Sequence, residues 1–388
     1  MDIQPNYHPL LVPGSTQHKD FTRAVRSIDA RMRAIERRPL FLYSPSEDRI
    51  EQVKELEKEL SHIAFPPDIA YAMRTSGSTS GSGKLVGHTT ASLVASAHAT
   101  HDFLGGSGTW ISCLPSSHIA GFQTIFRSLL SGKKPIYAGN GKPEELIEAT
   151  QFFPHNGRVY ISLVPIQLKR LISNKKSLAI LQHLDGVLVG GSAIDNTLLE
   201  QAQSLNIHIV TTYGSTETSG GCVYDGTPIG DTKISFTKDE RVHIKGSCVA
   251  YGYIDKQIFD GSFTTSDIGY MDENKKLHIR GRADNAITTG GVTVIPEHVE
   301  NIFMTCGYTR VYVIGMKSTQ WGEEVIAIVD SHNENASTKA KNILEKGWFP
   351  KHIVSLAELA IKDFPMLDSG KIDRKQLHSL VAAHFSAP

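Results

Sequence analysis

The stretch Thr75-Ser76-Gly77-Ser78-Thr79-Ser80-Gly81-Ser82-Gly83-Lys84 contains only glycine, serine and threonine before its closing lysine. Backbone amides exposed at glycines, hydroxyl donors and one ammonium together form a nest that can wrap a polyphosphate. A Walker P-loop requires a glycine where Ser78 stands and a hydroxyl residue where Leu85 stands, so that motif is excluded. A flexible linker is disfavoured because an apolar strand pattern at 70–73 enters the stretch and a helical pattern at 89–99 leaves it. The sequence therefore predicts a phosphate-binding loop.

Short apolar runs rich in valine and isoleucine alternate with helical patterns from about residue 70 onward. This alternation predicts an α/β fold of βα units, whose ligands bind beyond the carboxyl ends of the strands. Residues 228–281 read as short strands, and 292–388 as a compact mixed pattern. We therefore expect a large N-terminal domain with doubly wound mixed sheets plus a small β subdomain, residues 1–282, and a small α+β C-terminal domain, residues 283–388.

The composition limits the classes of function. The chain has 388 residues, with 40 Lys+Arg against 40 Asp+Glu, so its summed charge gives no general affinity for nucleic acid or anionic membrane. A hydrophobic fraction of 40% and a charged fraction of 21% are typical of a globular protein. The four cysteines form no CxxC pair, which argues against a zinc knuckle or disulfide framework. The N-terminal sequence lacks a signal-peptide pattern, so we expect a cytoplasmic protein without membrane insertion.

The glycine-rich stretch resembles the phosphate loop of the adenylate-forming acyl-CoA synthetase superfamily, the AMP-binding enzymes, where Thr-Ser-Gly-Ser/Thr-Thr-Gly-x-Pro-Lys is usual. Five further segments resemble that superfamily's motifs in the same order. They are Gly190-Gly191-Ser192-Ala193, Tyr213-Gly214-Ser215-Thr216-Glu217, Thr264-Thr265-Ser266-Asp267 with Gly281-Arg282-Ala283-Asp284, and Pro365-Met366-Leu367-Asp368-Ser369-Gly370-Lys371. The resemblance extends over about residues 75–380, and it implies an enzyme that uses ATP, Mg²⁺ and coenzyme A.

The resemblance also implies roles for individual residues. Lys371, Glu217, Thr216 and Lys84 are expected to be catalytic, with Glu217 as the magnesium ligand, since a carboxylate beside a triphosphate would otherwise repel it. Asp267 and Arg282 are expected to contact the ribose, Asp284 to be the hinge of a mobile C-terminal domain, and Gly290 and Gly291 to line the CoA path. The remaining ATP-binding candidates are Thr75, Ser76, Gly77, Ser78, Thr79, Gly191, Ser192, Thr212, Tyr213, Gly214 and Ser215.

Four longer segments resemble the compact o-succinylbenzoate CoA ligases of menaquinone biosynthesis: 114–123, 162–168, 220–226 and 281–296. Their substrate carries an aromatic carboxylate besides the reacting succinyl carboxylate, so its pocket should place polar donors beside an apolar wall. The candidate acyl-binding residues are His118, Phe122, Gln123, Ser162 and Gly190. A satisfied structural histidine is the alternative for His118, and it remains open.

The implied reaction has two steps. The substrate carboxylate attacks the α-phosphorus of ATP and pyrophosphate leaves; a thiol then attacks the acyl-adenylate, with Lys371 serving the first step only. The alternatives are a ligase for another aryl or fatty acid, an adenylation enzyme that loads a carrier protein, a P-loop-type kinase or NTPase, and a non-catalytic nucleotide-binding protein. The sequence leaves a homodimer open.

Four departures from the superfamily pattern stand out. The phosphate loop is one residue longer than usual and has Gly83 where proline is common. Ser266 replaces the glycine before Asp267, and Leu367 stands where threonine is common. These differences leave open the register between Thr79 and Lys84 and the dynamics of the loops.

Overall fold

A computed structural model describes residues 8–75, 83–366 and 372–386. In the first half of the chain the elements are β1 (Leu10–Pro13), α1 (His18–Met32), β2 (Leu40–Tyr43), α2 (Arg49–Leu60), β3 (Tyr71–Arg74), β4 (Leu85–His88), α3 (Thr90–Phe103), β5 (Gly108–Ser112), α4 (Ile119–Leu130), β6 (Ile136–Tyr137), α5 (Pro143–Ala149), β7 (Arg158–Leu163), α6 (Pro165–Ile172), α7 (Lys175–His183), β8 (Gly186–Val189) and α8 (Asn196–Ser204).

The second half is richer in strands. Its elements are β9 (Ile209–Ser215), β10 (Gly220–Tyr224), β11 (Thr227–Pro228), β12 (Lys233–Phe236), β13 (Arg241–Lys245), β14 (Gly252–Tyr253), β15 (Gln257–Ile258), β16 (Ser262–Met271), β17 (Leu277–Arg282), β18 (Ile287–Thr289), β19 (Val292–Val294), α9 (Pro296–Cys306), β20 (Val311–Ser318), β21 (Gly322–Val329), α10 (Glu334–Ile343), β22 (His352–Ser355) and α11 (Arg374–Ser386). Short 3₁₀ turns lie at 150–152, 216–218 and 283–285.

Two mixed sheets form the larger part of the fold. The first has the order β1-β2-β3-β4-β14-β15, and the second β11-β10-β9-β8-β7-β5-β6. In the second sheet the run from β6 to β9 is parallel, and β10 returns antiparallel to β9. From β5 the chain adds β6 on one side of the sheet and then β7, β8 and β9 in turn on the other side. This order confirms the predicted doubly wound α/β architecture.

Both faces of the second sheet are buried, as parallel strands require. Ile111, Ile161 and Val187 face one hydrophobic cluster, and Trp110, Tyr160 and Leu188 face another. Successive side chains on a strand point to opposite faces, so the continuous apolar runs in the sequence supply both layers. A further cluster joins the first sheet to helices α1, α3 and α4.

The structure changes one detail of the predicted phosphate loop. The segment that follows Lys84 is the strand β4, which pairs antiparallel with β3 from Tyr71↔His88 to Arg74↔Leu85, and helix α3 begins only at Thr90. The glycine-rich stretch therefore connects two strands of a hairpin. It does not lead directly into a helix, as the loop of a Walker NTPase would.

The chain divides by its internal contacts into two units. The first comprises Met1–Ile234, Ile244–Phe263 and Glu273–Lys276, and the second Ser235–His243, Thr264–Asp272 and Leu277–Pro388. The boundary expected between residues 282 and 283 stays a prediction.

The second unit contains a small sheet of its own. Its order is β19-β18-β21-β20, with β22 paired to β21. Val311, Val313 and Ala327 pack in one cluster with residues of α9 and α10, whereas Ile326 and Ile328 pack in another with Leu377 and Val381 of α11. Helices thus cover both faces of this sheet. No helix in the described residues has the length and apolar composition needed to cross a bilayer.

Candidate active site

The Tyr213–Glu217 motif forms a tight turn between β9 and β10. Tyr213 pairs with Val223 and Gly214 with Gly221, so the motif starts within a paired strand. A Cβ atom at Gly214 would lie 2.1 Å from the carbonyl oxygen of Gly220, which only glycine avoids. The hydroxyl of Thr218 accepts a hydrogen bond from the amide of Ser215 at 2.8 Å. The turn is therefore held by its own backbone and side chains.

Glu217 is buried at the end of this turn, with 9% of its surface exposed. Its Oε1 accepts a hydrogen bond from the hydroxyl of Tyr253 at 2.7 Å, and its carbonyl oxygen accepts one from the amide of Ala250 at 2.8 Å. The ammonium of Lys84 lies 4.5 Å from the centroid of the Tyr253 ring. The structure thus brings together two of the predicted catalytic residues, Glu217 and Lys84, through an aromatic residue that the sequence reasoning missed.

The two ends of the phosphate loop are joined by hydrogen bonds between Thr75 and Lys84. The amide of Thr75 donates to the carbonyl of Lys84, and the amide of Lys84 donates to Oγ1 of Thr75, each at 3.0 Å. A Cβ atom at Gly83 would lie 1.8 Å from the carbonyl oxygen of Thr75. Glycine in place of the usual proline is therefore a requirement of this loop's closure. Ser76, Gly77, Ser78 and Thr79 lie outside the described residues, as does Lys371.

Gly190 and Gly191 follow β8 at the carboxyl edge of the second sheet. A Cβ atom at Gly190 would lie 2.2 Å from Oγ1 of Thr212, so the absence of a side chain lets β8 and β9 approach each other there. Gly191 has φ +82°, a conformation that glycine adopts without strain, and Ser192 beside it is exposed. Thr216 is half-buried at the turn after β9. The predicted nucleotide-binding segments of this unit therefore follow adjacent strands.

The predicted acyl-binding residues occupy different environments. His118 begins helix α4, whereas Phe122 is fully buried and packs on Tyr71 and Phe126, with ring centroids 5.1 and 5.5 Å away. Ser162 is buried on β7. The contacts of Phe122 are those of a core residue, and its role as a wall of the acyl pocket stays a prediction.

Gln123 lies next to the turn that carries Glu217. Its Nε2 donates a hydrogen bond to the carbonyl of Ser219 at 2.7 Å, and Oγ of Ser96 donates to the same oxygen at 3.0 Å. The Oγ of Ser219 lies 3.2 Å from Nδ1 of His88, a fully buried histidine whose pKa is lowered by burial to about 3. His88 is therefore neutral at pH 7. This polar cluster holds Ser219 in its left-handed conformation, φ +54°.

In the second unit, Asp267, Arg282 and Asp284 form one ion cluster. Asp267 and Arg282 are cross-strand partners, and Nη1 of Arg282 lies 3.2 Å from Oδ1 of Asp267. Arg282 also binds both carboxylate oxygens of Asp284, at 2.8 and 2.6 Å. Burial raises the pKa of Asp284, but the hydrogen bonds from Arg282 outweigh it and lower the pKa below its ordinary value. The predicted ribose-binding pair and the predicted hinge residue are therefore in direct contact.

Gly290 and Gly291 form the tight turn between β18 and β19. Both have positive φ, +55° and +83°. The amide of Gly290 donates to the carbonyl of Trp321 at 2.9 Å, and a Cβ atom at Gly290 would lie 2.8 Å from the indole ring. The role of this turn in the CoA path stays a prediction.

Comparison with known proteins identifies the family. The AMP-binding enzyme family matches residues 13–248. A probable 2-succinylbenzoate–CoA ligase of Mycobacterium tuberculosis is 37% identical over 272 residues, which cover 68% of this chain and 71% of that protein. This chain belongs to the AMP-binding enzymes.

Solved structures of AMP-binding enzymes share the fold. The o-succinylbenzoate CoA synthetase of Bacillus subtilis, in complex with the acyl-adenylate intermediate OSB-AMP, has a TM-score of 0.74 at 20% identity, covering 97% of this chain and 88% of that one. The same synthetase in complex with ATP and magnesium ion has a TM-score of 0.73 at 19% identity, covering 97% and 90%. Identities this low establish the fold alone.

The donor set at Glu217 fits the magnesium chemistry of AMP-binding enzymes. No group of three or more His, Cys, Asp or Glu side chains in the described ranges could hold a metal ion. Mg²⁺ is commonly held by one or two carboxylates while substrate phosphates and water complete its shell, so one buried glutamate suffices. Beside it, Oγ of Ser215 is buried without a hydrogen-bond partner among the described residues.

Arg127 on helix α4 is the principal residue that the sequence reasoning missed. It is 3% exposed, lies 4.9 Å from the centroid of the Trp110 ring and donates a weak hydrogen bond to Oη of Tyr224 at 3.4 Å. Its Nε has no partner, and no carboxylate pairs with it within the part of the chain that the structure describes. Burial lowers the pKa of this guanidinium. An arginine within the apolar helix IAGFQTIFRSLL was the signal in the sequence.

Arg127 and Gln123 converge on Gly220, directly after the turn that carries Glu217. A Cβ atom at Gly220 would lie 3.7 Å from Nη2 of Arg127 and 3.4 Å from Cγ of Gln123. A buried charge without a counter-ion costs several kcal/mol. The guanidinium of Arg127, which pairs with no carboxylate among the described residues, thus lies beside the turn that carries Glu217.

Proposed function

We propose that this protein is an AMP-forming acid–CoA ligase that converts o-succinylbenzoate to o-succinylbenzoyl-CoA in menaquinone biosynthesis. The observation that carries the choice of acid is Arg127, a buried cation that lacks a carboxylate partner among the described residues and adjoins the Glu217 turn. o-Succinylbenzoate has two carboxylates. One reacts with ATP, and the other is an anion that the guanidinium can bind. The similar 2-succinylbenzoate–CoA ligase supports the same choice.

In the first step the succinyl carboxylate attacks the α-phosphorus of ATP, and pyrophosphate leaves. Bound Mg²⁺ would supply charge neutralisation at the phosphates, with Glu217 as its protein ligand. We assign Thr216 to a hydrogen bond with the α-phosphate and Lys84 to an added positive charge at the phosphates. Lys371, whose position lies outside the described residues, is assigned to this step. Catalysis is then chiefly positioning and charge stabilisation.

In the second step the thiol of CoA attacks the acyl carbon of the adenylate. The thioester bond forms, the acyl–phosphate bond breaks and AMP leaves. We assign Gly290 and Gly291 to the thiol path and Asp284 to the hinge between residues 1–282 and 283–388. The bidentate contact with Arg282 supports a role for Asp284 in holding the backbone at this point.

The decisive experiment incubates the protein with MgATP, CoA and o-succinylbenzoate and measures AMP and the thioester by mass spectrometry. Thioester with that acid supports the proposal. Product only with benzoates or fatty acids would show that the protein is an acid–CoA ligase for a different acid. Adenylate without thioester would favour an adenylation enzyme that loads a carrier protein. Release of ADP would indicate a kinase or NTPase, and ATP binding without turnover a non-catalytic protein.

Two further assignments accompany this function. ATP and CoA are cytoplasmic substrates, and we therefore place the enzyme in the cytoplasm. A homodimer stays a prediction, which light scattering coupled to size-exclusion chromatography would test.

A further inference from the structure

Glu297 lies at the start of helix α9 and contacts residues on both sides of Asp284. Its Oε2 accepts a hydrogen bond from the amide of Arg282 at 3.3 Å, and its Oε1 accepts one from Nδ2 of Asn285 at 2.6 Å. The contact is close because Gly281 has no side chain: a Cβ atom there would lie 2.6 Å from Oε2 of Glu297. One carboxylate therefore holds the backbone before Asp284 and the side chain after it.

The same carboxylate binds the first residue of helix α11. Nη2 of Arg374 lies 3.3 Å from Oε1 of Glu297 and 3.0 Å from Oε1 of Glu300, and its Nη1 donates to the carbonyl of Val313 at 2.8 Å. Glu300 in turn accepts a hydrogen bond from the amide of Val313 at 2.8 Å. Arg374 thus makes three polar contacts, all within the second unit.

Arg374 follows Lys371 by three residues in the sequence. On either side of residues 367–371 the chain is paired, through the bridge Met366↔Ile372 and the hydrogen bond from the amide of Asp373 to the carbonyl of Pro365 at 2.9 Å. A displacement of Arg374 therefore shifts Ile372 and Asp373, the paired residues that directly follow residues 367–371. Errors of about 1 Å in the placement of a reacting group can reduce a rate by about 100-fold.

We propose that Glu297 is a positioning residue that ties the hinge segment Arg282–Asn285 to the start of helix α11 and thereby supports adenylate formation more than thioester formation. The inference rests on the proposed function, in which Lys371 serves only the first step. Glu297 touches no reacting atom; it acts through Arg374 at one end and through Arg282 and Asn285 at the other. Its position in the first turn of α9 also suits a carboxylate, because the helix amino end favours negative charge.

The test separates the two half-reactions in the full-length protein. Glu297→Gln keeps the size of the side chain and removes its charge. We expect single-turnover adenylate formation from MgATP and o-succinylbenzoate to fall about tenfold, with the KM for ATP within about twofold of wild type. Thioester formation from preformed acyl-adenylate and CoA should change by less than about twofold. A parallel loss in both half-reactions, or no loss in either, would overturn the proposal.

The matched control is Glu324→Gln. Glu324 is a carboxylate of the same unit that pairs with Lys351 at 2.6 Å, and within the described residues it makes no hydrogen bond or ion pair with the hinge segment or with Arg374. The control should leave both half-reactions within about twofold of wild type. A drop in adenylate formation equal to that of Glu297→Gln would show a general effect of charge loss and contradict the specific role.

A second measurement needs no substrate. Hydrogen–deuterium exchange of the Arg282 amide should accelerate in Glu297→Gln, because glutamine has one acceptor oxygen for two donors, Arg282 N and Asn285 Nδ2, and lacks the negative charge. It should also accelerate in Arg374→Gln, which alters only the distant end of the cluster. Unchanged exchange in Arg374→Gln would refute the link. If wild type makes no adenylate from o-succinylbenzoate, the proposed function fails while the exchange result still decides whether Glu297 connects the two segments.

Discussion

The hydroxyl of Tyr253 donates a 2.7 Å hydrogen bond to Oε1 of Glu217, across 36 positions of sequence. Because the carboxylate is buried, this bond sets which of its oxygens remains available to other ligands. The Tyr253 ring also lies against the ammonium of Lys84. One aromatic side chain thus orients an anionic and a cationic group of the proposed ATP site.

Tyr253→Phe is expected to raise the KM for MgATP about tenfold. A lost hydrogen bond to a charged group costs about 1.5–3 kcal/mol, and each 1.4 kcal/mol corresponds to about tenfold in affinity. Steady-state kinetics at varied Mg²⁺ would measure the effect. Tyr251→Phe makes the same change two residues earlier and should leave the KM near the wild-type value. Equal effects of both substitutions would contradict this role of Tyr253.

Arg127→Met should lower kcat/KM for o-succinylbenzoate by about 50-fold, since it removes a charge-assisted hydrogen bond to the ring carboxylate. With 4-oxo-4-phenylbutanoate, which lacks that carboxylate, the same substitution should change kcat/KM by less than about threefold. The protein should stay folded, because replacing an uncompensated buried charge with an apolar side chain removes a desolvation penalty. An equal loss with both acids would mean that Arg127 has only a structural role in the core and does not bind the ring carboxylate.

Gly83→Ala is expected to weaken ATP binding several-fold. The added Cβ would lie 1.8 Å from the carbonyl oxygen of Thr75, so the hydrogen bonds that join Thr75 to Lys84 must shift. Isothermal titration with ATP would measure the change in Kd, and circular dichroism would confirm the fold. Gly83→Pro, the residue usual in the superfamily, should also weaken binding because it meets the same carbonyl. Improved binding by either variant would be incompatible with this loop closure.

Glu300 should make the stability of the second unit depend on pH. Burial raises the pKa of this carboxyl to about 7, although the positive charge of Arg374 lowers it. The side chains of Glu297 and Tyr312 also face this carboxyl. A raised carboxyl pKa means that the folded protein holds a proton that the unfolded chain has released. The free energy of unfolding therefore falls as pH rises from the ordinary glutamate range to about 7.

Glu300→Gln removes this titration. We compare the free energy of unfolding of the variant with that of wild type at each pH. From pH 5 to pH 8 this difference should shift in favour of the variant by on the order of 3 kcal/mol. Urea unfolding at the two pH values would measure the difference. Glu345→Gln, at an exposed position of the same unit, should follow the wild-type profile. Parallel profiles for Glu300→Gln and wild type would rule out this linkage.

The sequence by itself determined the family, the order of the motifs and the α/β architecture, because these depend on local patterns. Glycines at 190 and 214 are required where strands approach closely, and continuous apolar runs form strands buried on both faces. The resemblance of Tyr213–Glu217 and Gly281–Asp284 to known motifs needed no structure.

Only the tertiary structure decided which polar and charged side chains contact one another. Arg127 stands out in the sequence only as a charged residue within an apolar helix, and the fold shows that it is buried beside Gly220; Tyr253 becomes relevant only when β14 pairs with β4. The link between Glu297 and Arg374 likewise joins residues that are 77 positions apart. Hydrogen bonds and buried charges depend on distances of a few ångströms between remote segments, and local sequence patterns do not contain those distances.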